Sequence, residues 1–256
     1  ILALGHPGHS QVRTMHKFEL WTSGTVLRGA DIWLSRSYGI IDQVGDRPVG
    51  PEYTQEDFDR LAGLGANVVH ISHAGIFDEQ GTPDPDALAT LDNLLLKIER
   101  ADMFAVIAMR SGPGRSEMTF NRGEVGDWFT EEDLDERVWS DENLQQAWAD
   151  MWREMARRYK GNPVVVGYNL MVEPNSNEIF SHNLNDAFDP EEFHRVFSGK
   201  TQDWNRFYPI MARAIRDEDP DTPILVGSNS YAFVDWLPFL TPSSLPYVVY
   251  DVHPYI

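Results

Sequence analysis

A strand-then-helix alternation recurs from about residue 25 to residue 256 and constrains the fold more than any other feature of the chain. Short, continuously apolar runs suit strands covered on both faces, and amphipathic segments between them suit the covering helices, so the alternation points to a parallel sheet. The strand candidates are residues 25–32, 67–72, 104–109, 164–171, 223–227 and 247–252. The clearest helix signal follows Ser140: Asp141 and Glu142 fall in a first turn, while Leu144, Trp148, Met151, Met155 and Tyr159 share one face. Arg157, Arg158 and Lys160 close it against the dipole, Gly161 suits a left-handed cap, and Pro163 prevents continuation. Thr54 caps a second helix carrying Phe58, Leu61 and Leu64; Leu88, Leu91, Leu95 and Ile98 mark a third, and Trp204, Phe207, Met211 and Ile215 a fourth. The peptide around Phe18 to Trp21 is expected to pair with Val26 and Leu27 as a small hairpin.

The connections that follow strands are long at residues 33–53, 111–139 and 174–203, and rich in Gly, Asn, Asp and aromatics, whereas those that precede strands are short. In a (β/α)8 barrel this asymmetry places elaborated loops at the C-terminal face, where active sites are built. Six strands cannot close a ring whose geometry demands eight. The expected fold is therefore α/β, the first six βα units of such a barrel in one domain over residues 1–256. Residues 1–24 would form a tail and the floor hairpin, with strands seven and eight outside this sequence. A doubly wound open sheet would tolerate six strands, but no Gly-rich phosphate loop follows the first one.

Forty acidic against 21 basic side chains give a formal charge of −19, and only Lys17, Lys97, Lys160 and Lys200 are lysines. Such a surface repels phosphate backbones and anionic membranes, so neither nucleic acid nor membrane is an expected partner. No apolar stretch approaches the roughly 18 residues that span a bilayer. The chain has no cysteine, which removes disulfides and thiolate metal sites. Its first residue is Ile1, which favours a processed N-terminus and a secreted or extracytoplasmic location.

The strongest motif is NPVVVGYNLMVEPN, residues 162–175, in which a buried strand emerges into Glu173-Pro174. A carboxylate at a strand's C-terminal rim, with proline ending the ladder, is where a barrel enzyme would hold an acid. Glycosidic cleavage needs one carboxylic acid to protonate the leaving oxygen and a second carboxylate as nucleophile or base. Burial near aromatics would keep the acid protonated near neutral pH. A lone Glu-Pro is equally compatible with a salt bridge at the rim. Two strands later the chain reads YVVYDVHPY, residues 247–255, where Asp251, His253 and Tyr255 alternate onto one face.

These landmarks together resemble glycoside hydrolase family 5, the cellulase-like family of the retaining (β/α)8 clan. They are LRGADIW (27–33), LGANVVHIS (64–72), FAVIAMRSGPG (104–114), RYKGNPVVVGYNLMVEPN (158–175) and YDVHPY (250–255), in family order. The resemblance implies that Glu173 is the acid/base and that His253 and Tyr255 orient the nucleophile and sugar. It places the nucleophile, a glutamate, at the end of strand seven, which has no counterpart in this sequence. It implies no cofactor, an oligo- or polysaccharide substrate such as a β-linked glucan or mannan, and a further polypeptide segment to complete the barrel.

Three positions depart from the family pattern. His70 stands where an arginine is usual after strand two, and Arg110 where a histidine is usual after strand three, an exchange that would keep a cation near the nucleophile. Val172 replaces the asparagine that hydrogen-bonds the sugar 2-hydroxyl, leaving His73 or Asn175 as candidate replacements. Sugars stack on rings, so Trp33 is the preferred platform among Trp33, Trp128, Phe129, Trp139, Tyr231 and Trp236. His70 and His73 straddle a strand end, and His6 and His9 lie in the tail, so no metal site is expected. The competing readings are a non-catalytic carbohydrate-binding barrel, and a different reaction using Asp251 or Asp31 as the second carboxylate.

Overall fold

Six parallel strands lie in sequence order across one sheet: β1 (Gly29–Trp33), β2 (Val68–His73), β3 (Phe104–Met109), β4 (Val165–Asn169), β5 (Ile224–Gly227) and β6 (Val248–Asp251). The computed structural model describes residues 16–34, 51–73, 76–78, 80–127, 129–179 and 189–254. Five α-helices of eight or more residues occur among these: α1 (Gln55–Gly63), α2 (Pro85–Arg100), α3 (Glu142–Tyr159), α4 (Pro190–Phe197) and α5 (Trp204–Glu218). The order is that of the first six βα units of a (β/α)8 barrel.

The helices start where side chains can satisfy their orphan amides. Thr54 and Asp57 form a capping box on α1, Asp84 caps α2 with Pro85 in its first turn, and Asp141, Asp189 and Asp203 cap α3, α4 and α5. Helix α1 ends at Gly63, which leaves Leu64 outside the apolar stripe and exposed rather than on the expected face.

Alternate strand residues divide between two layers. Val69, Ile71, Ala105, Ile107, Met109, Tyr168 and Val226 face the helices, where α3 and α5 bring Trp148, Trp152, Trp204 and Phe207 into one core. Phe104, Val106, Val166 and Leu225 face the inside of the ring. Indole N–H groups from the helices fix the strand ends, Trp152 donating to Leu170 O at 2.8 Å and Trp204 to Gly227 O at 2.8 Å. Trp148 donates to Pro113 O in the loop after β3, also at 2.8 Å. The ladder between β4 and β5 is the shortest, with only Tyr168↔Ile224 and Asn169↔Leu225 in register.

Two sequence expectations near the floor require correction. The first strand begins at Gly29 rather than residue 25, because Asn67 supplies a side chain instead of a ladder: its Oδ1 accepts from Arg28 N and its Nδ2 donates to Val26 O. The expected hairpin is a single helical turn, Glu19–Thr22. It buries Leu20 against Phe104, Val106, Val166 and Leu225, and Trp21 Nε1 donates to Val166 O at 3.0 Å, so the turn plugs the ring from below.

Candidate active site

Beyond Asn169 the chain leaves the sheet and passes through Glu173 in the left-handed region, at φ 55°. A side-chain-bearing residue there costs roughly 1–2 kcal/mol, and the following proline disfavours helical geometry before it. This turn brings the Glu173 side chain, 12% exposed, beside His253. Beneath the turn Arg115, itself 1% exposed, donates to Val172 O at 3.0 Å and Glu173 O at 2.7 Å, and also to Arg110 O. Arg115 follows Gly114, whose φ of +68° and close approach to Val138 N leave no room for a Cβ.

A polar chain crosses the mouth of the sheet from β6 to β1. His253 Nδ1 lies 2.9 Å from Glu173 Oε1, and its Nε2 lies 3.2 Å from Asp251 Oδ2. Asn169 Nδ2 donates to the same Asp251 oxygen at 2.9 Å and approaches His70 Nε2 at 3.3 Å. His70 Nδ1 in turn lies 2.7 Å from Asp31 Oδ1, which also accepts from Ser72 Oγ at 2.7 Å. The network assigns the His70 hydrogen to Nδ1. Hydrogen bonds donated to the Asp251 and Glu173 carboxylates push His253 up to about 10, so the imidazole is a cation at neutral pH. Burial works to raise the Asp251 carboxyl, but the hydrogen bond and charge of His253 hold it below the usual range.

Two cavities meet at Glu173 and Arg110. One, about 510 Å³, is polar and lined by Asp31, His70, Ser72, Asp251 and His253, with Val172 and Leu225 on its apolar wall. The other, about 450 Å³, is lined by Phe120, Ser230, Tyr231 and Phe233. Its wall is a turn in which Ser230, Tyr231 and Ala232 all have φ of 59°. That turn is tied to the loop of Glu173 by Tyr231 N, which donates to Pro174 O at 3.0 Å, and to β6 by His253 N, which donates to Ala232 O at 2.9 Å.

The structure thus brings Glu173, His253, His70 and Arg110 together as the sequence suggests. Arg110 pairs with the nearly buried Glu117 through Nε at 3.2 Å, and its guanidinium lies over Phe120 at 3.9 Å and Trp33 at 4.9 Å. Trp33 is therefore at the site, but one face of its ring is engaged by a cation. Asn175 does not present to a ligand. The left-handed turn at Glu173 sends it inward, fully buried, where it donates to Thr119 Oγ1 at 2.8 Å and contacts Tyr231 Oη and Arg115.

Tyr255, Trp128, His6 and His9 lie outside the described residues, as does the side chain of His73. Trp139 is core, packed on Trp204 and Phe207; Phe129 is buried, and Trp236 packs on Phe193. Arg115, Phe120, Ser230 and Phe233 had no signal beyond their residue types, because irregular loops carry them. Among the described residues no group of three or more His, Asp or Glu could hold a metal ion.

Comparison with known proteins gives a concordant picture. The family model described as cellulase, glycosyl hydrolase family 5, matches residues 37–256. Endoglucanase C of Acetivibrio thermocellus is 23% identical over 178 residues, which cover 70% of this chain and 42% of that protein. A broad-specificity endoglucanase from Clostridium cellulovorans superposes with a TM-score of 0.65 at 16% identity, covering 94% of this chain and 63% of its own. A Pseudomonas stutzeri endoglucanase in complex with cellobiose gives 0.59 at 16% identity, covering 88% and 59%. The chain spans less than two thirds of the length of each.

Proposed function

Since this chain belongs to glycosyl hydrolase family 5, we propose that it carries the acid/base half of a retaining glycosidase site, with Glu173 as the acid and a β-linked glucan, mannan or related glycoside as substrate. The observation that carries the reading is the Glu173 carboxyl at the junction of two cavities, hydrogen-bonded to a cationic imidazole. A polymer lying across the junction would place a glycosidic oxygen at the carboxyl, with a sugar in each cavity.

In the first step a nucleophilic carboxylate forms a bond to the anomeric carbon as its bond to the leaving oxygen breaks, and Glu173 transfers its proton to that oxygen. The resemblance puts this nucleophile on strand seven, in a further polypeptide segment, a placement supported by the share of its relatives' length that the chain spans. In the second step Glu173 takes a proton from water, whose oxygen displaces the enzyme carboxylate. The His253 cation stabilises the carboxylate left by the first proton transfer, which strengthens the acid at the moment it acts. His70, Arg110, His253 and Trp33 are proposed to line the sugar sites, together with Tyr255. Asp251 shares the imidazole of His253 and the amide of Asn169, which suits it to orienting His253 better than to serving as the second carboxylate. A polymeric substrate also favours an extracytoplasmic location; the described residues include no helix long and apolar enough to cross a membrane.

The test is Glu173→Gln in a protein that also carries the nucleophile's segment, assayed on polysaccharide and on aryl glycosides whose leaving groups need no proton. Turnover of the polymer should be lost and the first step on the aryl glycosides largely spared. Equal activity of mutant and parent on the polymer defeats the assignment. One observation favours a second reading, a barrel that binds sugar without cleaving it: Val172 presents an apolar wall where the family's asparagine would meet the 2-hydroxyl. Calorimetric binding of oligosaccharides by a protein that leaves them intact would favour it.

A further inference from the structure

We infer that Arg115 is the positioning residue of Glu173: its guanidinium grips the carbonyls on both sides of that residue and holds it in the left-handed conformation from which its carboxyl reaches His253.

The conformation needs an explanation, because an ordinary side chain before proline avoids it, and strained backbone persists only where its surroundings over-determine it. Arg115 supplies that determination. The carbonyls of Val172 and Glu173 bracket the strained residue, and one terminal nitrogen of Arg115 reaches each, at 3.0 and 2.7 Å. A planar fork can meet two carbonyls at once; the single ammonium of lysine cannot hold both in the same way. Asn175 Oδ1, at 3.4 Å, extends the grip one residue beyond Pro174, and Tyr231 N holds the carbonyl of Pro174 from the opposite side.

The cost of this arrangement argues against a filler role. The guanidinium is buried, its Nε has no partner, and its bonds go mainly to neutral carbonyls rather than to a carboxylate. The nearby carboxylate, Glu117, is bonded to Arg110 instead. Burial pulls Arg115 down to about 10, against Glu117, with Arg110, Tyr231 and Glu173 as its other charged or titratable neighbours. An apolar side chain would fill the same space without the desolvation, so the retained charge marks a demand set by the turn.

The kinetic arm of the test rests on Glu173 being the acid; the geometric arm does not. His253 reports the placement of Glu173 directly, so its titration is followed by NMR of histidine-labelled full chain in the parent, Arg115→Met and Glu173→Gln. In Arg115→Met the His253 pKa should fall to its value in Glu173→Gln, with Arg115→Lys between the two. A folded Arg115→Met whose His253 titrates as in the parent overturns the inference. Should Arg115→Met fail to fold, Arg115→Lys decides in the same way, a lowered value supporting and an unchanged one overturning.

For the kinetic arm, kcat/KM is compared on aryl β-cellobiosides with poor and with activated leaving groups. Misplacing an acid should lower the poor-to-activated ratio on the order of tenfold or more. General loosening lowers both alike and counts against the clamp. If the parent joined to the segment that supplies the nucleophile cleaves neither, the glycosidase reading falls while the His253 titration still decides the role of Arg115.

Discussion

One imidazole joins the ends of two strands: His253 of the β6 end holds Glu173 Oε1 at 2.9 Å through Nδ1 and Asp251 Oδ2 at 3.2 Å through Nε2. When Glu173 and Asp251 are both ionised, each ring nitrogen donates one bond and the ring is a cation.

This fixes a pH dependence. His253 is raised from its ordinary 6.5 to about 10, so the stability it confers is complete below 6.5 and is lost as pH rises through about 10. Asp251 is depressed below its ordinary 3.8, so its share is present above that value and is lost on further acidification. His253→Gln should therefore be destabilised by about 1–3 kcal/mol between pH 4 and 6.5. Denaturant unfolding of both proteins should show the difference closing from pH 6.5 to 10; a constant difference would mean that the ring contributes packing alone.

Val172 is the departure with the clearest chemical remedy. It is 4% exposed on the wall of the polar cavity next to Glu173, and asparagine has nearly its volume. Val172→Asn should raise kcat/KM on β-glucosides by about tenfold, a fraction of the several kcal/mol that contacts to the 2-hydroxyl and ring distortion supply together. No gain would mean that the sugar ring sits elsewhere in the cavity.

The indole of Trp152 donates to Leu170 O at 2.8 Å, at the point where β4 gives way to the Glu173 turn. Trp152→Phe keeps most of the apolar contact but strands a buried carbonyl, at a cost of about 1–3 kcal/mol. Calorimetry should show a melting temperature lower by about 2–4 °C for each kcal/mol lost.

Much of this was legible because it depends on local pattern. Asp141, Thr54 and Gly161 state their helix ends, and β3 and β4 are apolar runs with turn residues beyond them. Glu173 and His253 stood out because they fall at strand ends within motifs that occur in family order, not because either residue type alone has few structural uses. Val26 and Leu27 misled because the backbone flanking Leu27, Val26 O and Arg28 N, is satisfied by one asparagine side chain rather than by a strand. Asn175 misled because a left-handed residue two positions earlier reverses which side of the loop faces inward. Arg115 and Phe120 act through the path of a loop, which no spacing in the sequence encodes.

The two-residue ladder between β4 and β5 divides Glu173 from His253 and Asp251. Glu173 and Arg115 belong to one flank of that seam, while Tyr231, Asp251 and His253 belong to the other. A load pulling the sheet apart would open it first where the fewest rungs resist, and the carboxyl and imidazole would separate while four of the five ladders still held. The molecule would lose the bond between Glu173 and His253 before it lost its shape, which makes that one contact the earliest alarm of its unravelling.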